Sequence, residues 1–178
     1  MKRTSGWNLA IALTLILLAV VLRVMPHPAN FAPIATVALF GGAILPKRYA
    51  LSVPLAAMVT SDLIIGLHSL VLVTWGCFAL IALASFHWLR QPTLRRGAAM
   101  AMAASVFFFT ATNLAVWLWS GMYAHSWAGL ARCYELALPF FRNTALSDII
   151  YTAALFGAYA VAVKTGQKLA DSQLKKLA

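Results

Sequence analysis

Long apolar runs separated by short polar breaks make up almost the whole chain. The first run covers about residues 7–24, after Lys2 and Arg3. It lacks a small-residue cleavage pattern and Arg23 follows directly, so it reads as an uncleaved helix and not a signal peptide. Three prolines then fall within Pro26–Pro33, which no helix can contain, and predict a stiff loop or re-entrant turn. The next run, 34–45, is short for a membrane crossing and is expected to borrow length from the Pro-rich loop or to sit where the membrane is thinned. Gly41 and Gly42 near its end allow close helix contact or a kink. Further spans are expected over about 50–67, 70–88, 97–119 and 139–163. Breaks at Pro46–Tyr49, Gly66–Ser69 and Arg90–Arg96 separate them, and a long polar connection runs from Ser120 to Leu138. Pro139 is expected to open the last span, and the lysine-bearing tail to form a short amphipathic or frayed end.

The pattern predicts an all-α integral membrane protein, a single domain of six transmembrane helices over residues 1–178. Composition agrees: 62% of the 178 residues are hydrophobic and 10% charged, against about one quarter charged in soluble domains. The net charge of +10 could point to nucleic acid. The basic residues sit in the breaks between apolar runs, so topology explains them and a nucleic-acid partner is not expected. With six spans, Lys2, Arg3, Lys47, Arg48, Arg90, Arg95, Arg96, Lys164, Lys168, Lys175 and Lys176 share one side. Only Arg23, Arg132 and Arg142 fall on the other. The loops are short enough for the positive-inside rule, which places both termini in the cytoplasm.

Polar chemistry gathers on the outer side. His27, Asn30, Asp62, His68, Tyr123, His125, Arg132, Cys133, Tyr134, Glu135, Arg142, Asn143 and Asp148 all map to outer loops or the outer halves of spans. Acids at membrane depth need a partner or a cavity. For Asp62 and Asp148 the structural reading is pairing with Arg23 and Arg142; the functional one is ligand binding. Cys77 lies about seven residues into the fourth span, on the order of 10 Å below the outer surface. It suits a small packing residue, a ligand to a soft metal, or a disulfide with Cys133. The histidines show no close metal-ligand spacing. Phe31, Trp75, Tyr123, Trp127 and Tyr134 suit either the wall of a pocket for a large flat ligand or the interfacial aromatic belt. There is no nucleotide-binding loop, nucleophile elbow or zinc-protease motif, so any transport would draw on a partner, a gradient or the ligand's own binding equilibrium.

Three stretches carry a resemblance: RVMPHPANFAPIATVALFGG (Arg23 to Gly42), VPLAAMVTSDLIIGLH (Val53 to His68) and PFFRNTALSD (Pro139 to Asp148). Together with the six-span plan they resemble the substrate-binding S-components of energy-coupling factor (ECF) vitamin transporters. The segment WGCFALI (Trp75 to Ile81) is similar to the solitary cobalamin transporters of that group, called BtuM. The resemblance implies a multi-pass protein of the bacterial cytoplasmic (inner) membrane, with a periplasm-facing pocket for cobalamin (vitamin B12). It implies Cys77 as the axial ligand to the cobalt of the bound corrinoid, and loss of a cyano group from the opposite face as a side activity. A soft thiolate suits cobalt, and coordination lowers its pKa. His27, Asn30, Phe31, Asp62, His68, Tyr123, Tyr134, Arg142 and Asn143 are the pocket residues expected from position, the polar ones meeting corrin amides and the aromatics packing on the ring. No cofactor of its own is expected. The first span reads AIALTLILLA from Ala10 to Ala19, without the Ala-x-x-x-Ala spacing of S-components that dock on a shared ATPase module. That departure fits a solitary transporter.

The leading expectation is therefore uptake of cobalamin across the cytoplasmic membrane. The alternatives are transport of another small vitamin or a metal ion on the same fold, a membrane enzyme that processes (decyanates) corrinoids, and an assembly protein whose outer polar groups only pair with one another.

Overall fold

The structure is a computed structural model and describes residues 6–89 and 93–177. Lys2, Arg3 and Arg90, which enter the charge argument above, lie outside the described residues. Among the described residues there are six helices and no strand: α1 (Gly6–Val24), α2 (Ile34–Ile44), α3 (Ser52–Ile65), α4 (Val71–Trp88), α5 (Leu94–Trp119) and α6 (Trp127–Leu177). Four of them, α1, α4, α5 and α6, are long and apolar enough to cross a membrane.

The shortest helix is the innermost. Every side chain described from Ala35 to Ala43 is buried, and α2 touches all five other helices. A helix apolar all round can be buried on all sides, and the run VALF has no polar face to offer. At about 1.5 Å per residue α2 is roughly 16 Å long, about half a bilayer core. It needs no more, because it meets protein and not lipid. It borrows nothing from the Pro-rich loop: Pro33 stands at its N-cap and the helix begins at Ile34.

The other helices bury one stripe each. In α1 this is Ala12, Ile16 and Ala19, while Leu13, Leu17, Leu18 and Val21 face outward. In α3 it is Pro54, Met58, Ser61 and Asp62, and in α4 it includes Thr74, Cys77, Phe78, Ile81, Ala82 and Ser85. These stripes recur at helical spacing, and their apolar backs suit lipid. Gly41 and Gly42 bring α2 against its neighbours: a Cβ at Gly41 would run into Pro54, and one at Gly42 into the Ala82 carbonyl oxygen. Close by, the Ser85 hydroxyl donates to the Leu39 carbonyl at 2.6 Å.

Helix α6 differs most from the sequence reading. The polar connection expected over 120–138 is only 120–126, and the helix expected to open at Pro139 already runs from Trp127. Pro139 lies inside it, where a missing N–H and a steric clash ordinarily cost about 3 kcal/mol. Packing of α6 on α5 offsets that cost. The Tyr134 hydroxyl donates to the Thr110 carbonyl at 2.7 Å, the Cys133 thiol to the Asn113 carbonyl at 3.4 Å, and Phe109 packs on both Tyr134 and Phe141. The lysine-bearing tail is also helical, to Leu177. At roughly 75 Å, α6 is longer than any bilayer core is thick. Cys77 and Cys133 are both buried and free, so no disulfide joins them.

Candidate functional site: a polar cavity at one end of the bundle

One end of the bundle is tied together by polar contacts. Arg23, at the last turn of α1, reaches the last turn of α3. Its Nη2 donates to Asp62 Oδ1 at 2.5 Å, and its Nη1 donates to the Ser61 hydroxyl. The other Asp62 oxygen accepts from Trp75 Nε1 of α4 at 2.6 Å. Asp62 is thus held by two helices, as the pairing reading expected.

The Pro-rich loop covers the same end. Asn143 Nδ2 of α6 donates to the Ala29 carbonyl at 3.0 Å, and Ser147 Oγ donates to that of Ala32 at 3.4 Å. Asn30 takes a positive φ of 58° there, a conformation that Asn tolerates better than most residues because its short amide bonds locally.

Beneath and beside this loop is a cavity of about 360 Å³, within the usual size range of small-molecule sites. Three helices each contribute a pair of side chains one turn apart: Thr74 and Phe78 from α4, Phe108 and Thr112 from α5, Thr144 and Asp148 from α6. Phe78 and Phe108 stack with centroids 5.1 Å apart and make a flat apolar wall. Arg23, Asn30, Ala32, Ala35, His68 and Leu70 complete the lining. The Nε of Arg23 is buried with no acceptor. Two further hollows, of about 130 and 360 Å³, share Asn30 with this cavity.

Of the pocket residues expected from position, Asn30 and His68 line the cavity, and so does Asp148, for which ligand binding is one of the two readings. His27 lines the larger hollow, but its ring nitrogens lie 2.9 Å from the Pro28 carbonyl and 3.0 Å from that of Arg23, so whichever nitrogen carries the proton can donate to backbone. Phe31 packs edge-on against Tyr151. Tyr134 braces α5 against α6, Tyr123 lies in the α5–α6 connection, and Arg142 is exposed. Asn143 secures the loop. Cys77 is buried, three residues after Thr74 and one before Phe78, on the flank of the lining face and not in it. The expected partnership of Asp148 with Arg142 does not form: Asp148 is 1% exposed, and its Oδ2 accepts from Ser105 of α5 at 2.6 Å.

Thr74, Phe78, Phe108, Thr112 and Thr144 are not among the residues expected from sequence to line a pocket. A signal was available: polar or aromatic residues at i and i+4 in otherwise apolar spans share a helix face. That spacing does not say which face looks into a cavity and which packs. Among the described residues no three His, Cys, Asp or Glu side chains converge as a metal site.

Fold and site together define a helical, membrane-type bundle with a polar cavity at one end. The chain belongs to DUF6580, a family of unknown function, whose profile matches residues 3–171. No curated protein and no solved structure matches it.

Proposed function

We propose that this protein is a six-span uptake transporter of the bacterial cytoplasmic membrane that captures cobalamin at its outer face and delivers it inward. The observation that carries the reading is the cavity at one bundle end, with Cys77 on its flank and the stacked Phe78 and Phe108 on its wall. A flat macrocycle bearing amides asks for an aromatic wall, scattered hydroxyl and amide partners, and an axial donor from one side. The Phe pair, the threonines with Asn30, and Cys77 would provide these in turn. The corrinoid is the cargo, so the cobalt arrives with it.

The ligand is larger than the cavity of about 360 Å³. The adjoining hollows, which share Asn30 with it, would offer the remaining room if the Pro-rich loop moved outward. Cys77 is covered in the present arrangement, and cobalt coordination requires α4 and α5 to part at Phe78 and Phe108.

The six-crossing topology rests on the alternation of the helices and on charge. Lys47, Arg48, Arg95, Arg96, Lys164 and Lys168 fall at the bundle end opposite the cavity, as cytoplasmic residues should. A reporter fused after the last residue is expected to read as cytoplasmic. A periplasmic reading would reverse the cavity's direction and end the uptake proposal.

The decisive measurement is the absorption spectrum of purified protein after incubation with cobalamin and removal of free ligand. Wild type is expected to retain a corrinoid with a shifted spectrum, and Cys77→Ser to lose the shift, because a hydroxyl is a poor ligand for a soft metal. No retained corrinoid in wild type would reject the cobalamin reading, and an unchanged spectrum in Cys77→Ser would reject the axial role.

A further inference from the structure

Two acids sit at membrane depth at this end of the bundle, and their surroundings differ. Both oxygens of Asp62 are engaged, one by Arg23 and the other by Trp75. Asp148 lines the cavity, is 1% exposed, and makes no ion pair among the described residues. Its one side-chain partner is the Ser105 hydroxyl, at 2.6 Å on Oδ2. A carboxylate offers about four acceptor sites, so most of its capacity remains unused. The threonines at 74, 112 and 144 share the lining, but each can satisfy its hydroxyl on its own helix: Thr74 donates to the Leu70 carbonyl, Thr112 to Phe108 and Thr144 to Phe140. Asp148 therefore keeps acceptor capacity facing the cavity, and a polar group that a ligand must match makes recognition selective.

We infer that Asp148 is a specificity-determining residue that accepts N–H donation from a primary amide at the ligand's edge. The inference rests on the cobalamin reading and deepens it, since the corrin periphery carries primary amides. A ligand carboxylate in the same place would set two anions side by side away from water, which is strongly unfavourable. The cavity would therefore distinguish an intact corrinoid from one whose edge amide has been hydrolysed to an acid, although the two differ by one functional group.

The test compares cobalamin with the corrinoid monocarboxylates made by mild hydrolysis of its side-chain amides. Their affinities for wild type and for Asp148→Asn are measured at mildly alkaline pH, where carboxylates are ionised. Asn keeps the shape and an acceptor for Ser105, and adds an N–H that can meet a ligand carboxylate. Wild type is expected to bind at least one monocarboxylate isomer about a hundredfold more weakly than cobalamin. Asp148→Asn should bring that ratio within about tenfold. Asp148→Glu, run in parallel, retains the charge and should retain the discrimination even if overall affinity falls. Equal affinity of wild type for cobalamin and every monocarboxylate isomer would overturn the inference and leave the cobalamin reading standing, as would a ratio that Asp148→Asn does not change. Failure of wild type to bind any corrinoid would overturn both.

Discussion

Replacing Asp62 by alanine is expected to cost about 3–5 kcal/mol of stability, the usual penalty for breaking a buried ion pair. The substitution strands two groups at once. The Arg23 guanidinium, whose side chain is 12% exposed, loses its counter-charge. Trp75 Nε1 loses its acceptor, and the link from α1 through α3 to α4 is cut. A lowered thermal midpoint in detergent and loss of the monodisperse peak on size exclusion would report it. Arg23→Met combined with Asp62→Leu should recover much of the loss, because an apolar pair of similar volume removes both charges together. The experiment also decides what Asp62 is for. A ligand-binding residue would lose affinity on mutation and keep the fold, so an Asp62→Ala protein as stable as wild type would refute the structural role assigned to it.

Gly42→Val is expected to be comparably damaging, for a steric and not an electrostatic reason. A Cβ at this position meets the Ala82 carbonyl oxygen, with the Ser85 Cβ at 2.9 Å and the Ala82 carbonyl carbon at 3.1 Å. Two of these three atoms are backbone and cannot rotate away. The helices must separate, which stretches the Ser85–Leu39 hydrogen bond of 2.6 Å. Overpacking of a tight core costs roughly 1–3 kcal/mol for small additions, and valine adds more than one methyl. Because α2 touches every other helix, no neighbour can yield without disturbing another. Gly76 is the internal comparison: nothing lies within 4 Å of a Cβ there. Gly76→Ala should be neutral or stabilising by about 0.5–1 kcal/mol, as for glycine in a helix generally. Equal midpoints for Gly42→Val and wild type would show that the α2–α4 contact is looser than this geometry.

The site was less legible than the helices. Asn30 and His68 are polar and fall on outer loops, and both line the cavity. Tyr134 and Asn143 are as polar and as near the same end, yet the Tyr134 hydroxyl is spent on the Thr110 carbonyl and Asn143 holds the Pro-rich loop. Polarity near a membrane surface marks residues that need a partner, and the partner can be the protein's own backbone as readily as a ligand. Asp62 and Asp148 make the point most clearly. From sequence both are intramembrane acids with an arginine as the expected partner. In the fold one finds that arginine and the other finds a serine and a cavity.

The sequence by itself determined the helical class, the positions of the helices to within a few residues for α1 to α5, and the likeness to membrane spans. It could do so because these depend on local quantities: apolar run length, proline position and charge in the breaks. Only the tertiary structure decided that α2 is the buried axis of the bundle, that α6 continues through Pro139, and that Asp148 rather than Asp62 faces the cavity. Each of these depends on which surfaces meet across the bundle. Contact between residues far apart in the chain can outweigh a local breaker of about 3 kcal/mol and can assign an arginine to one carboxylate rather than another, and no local pattern records that outcome.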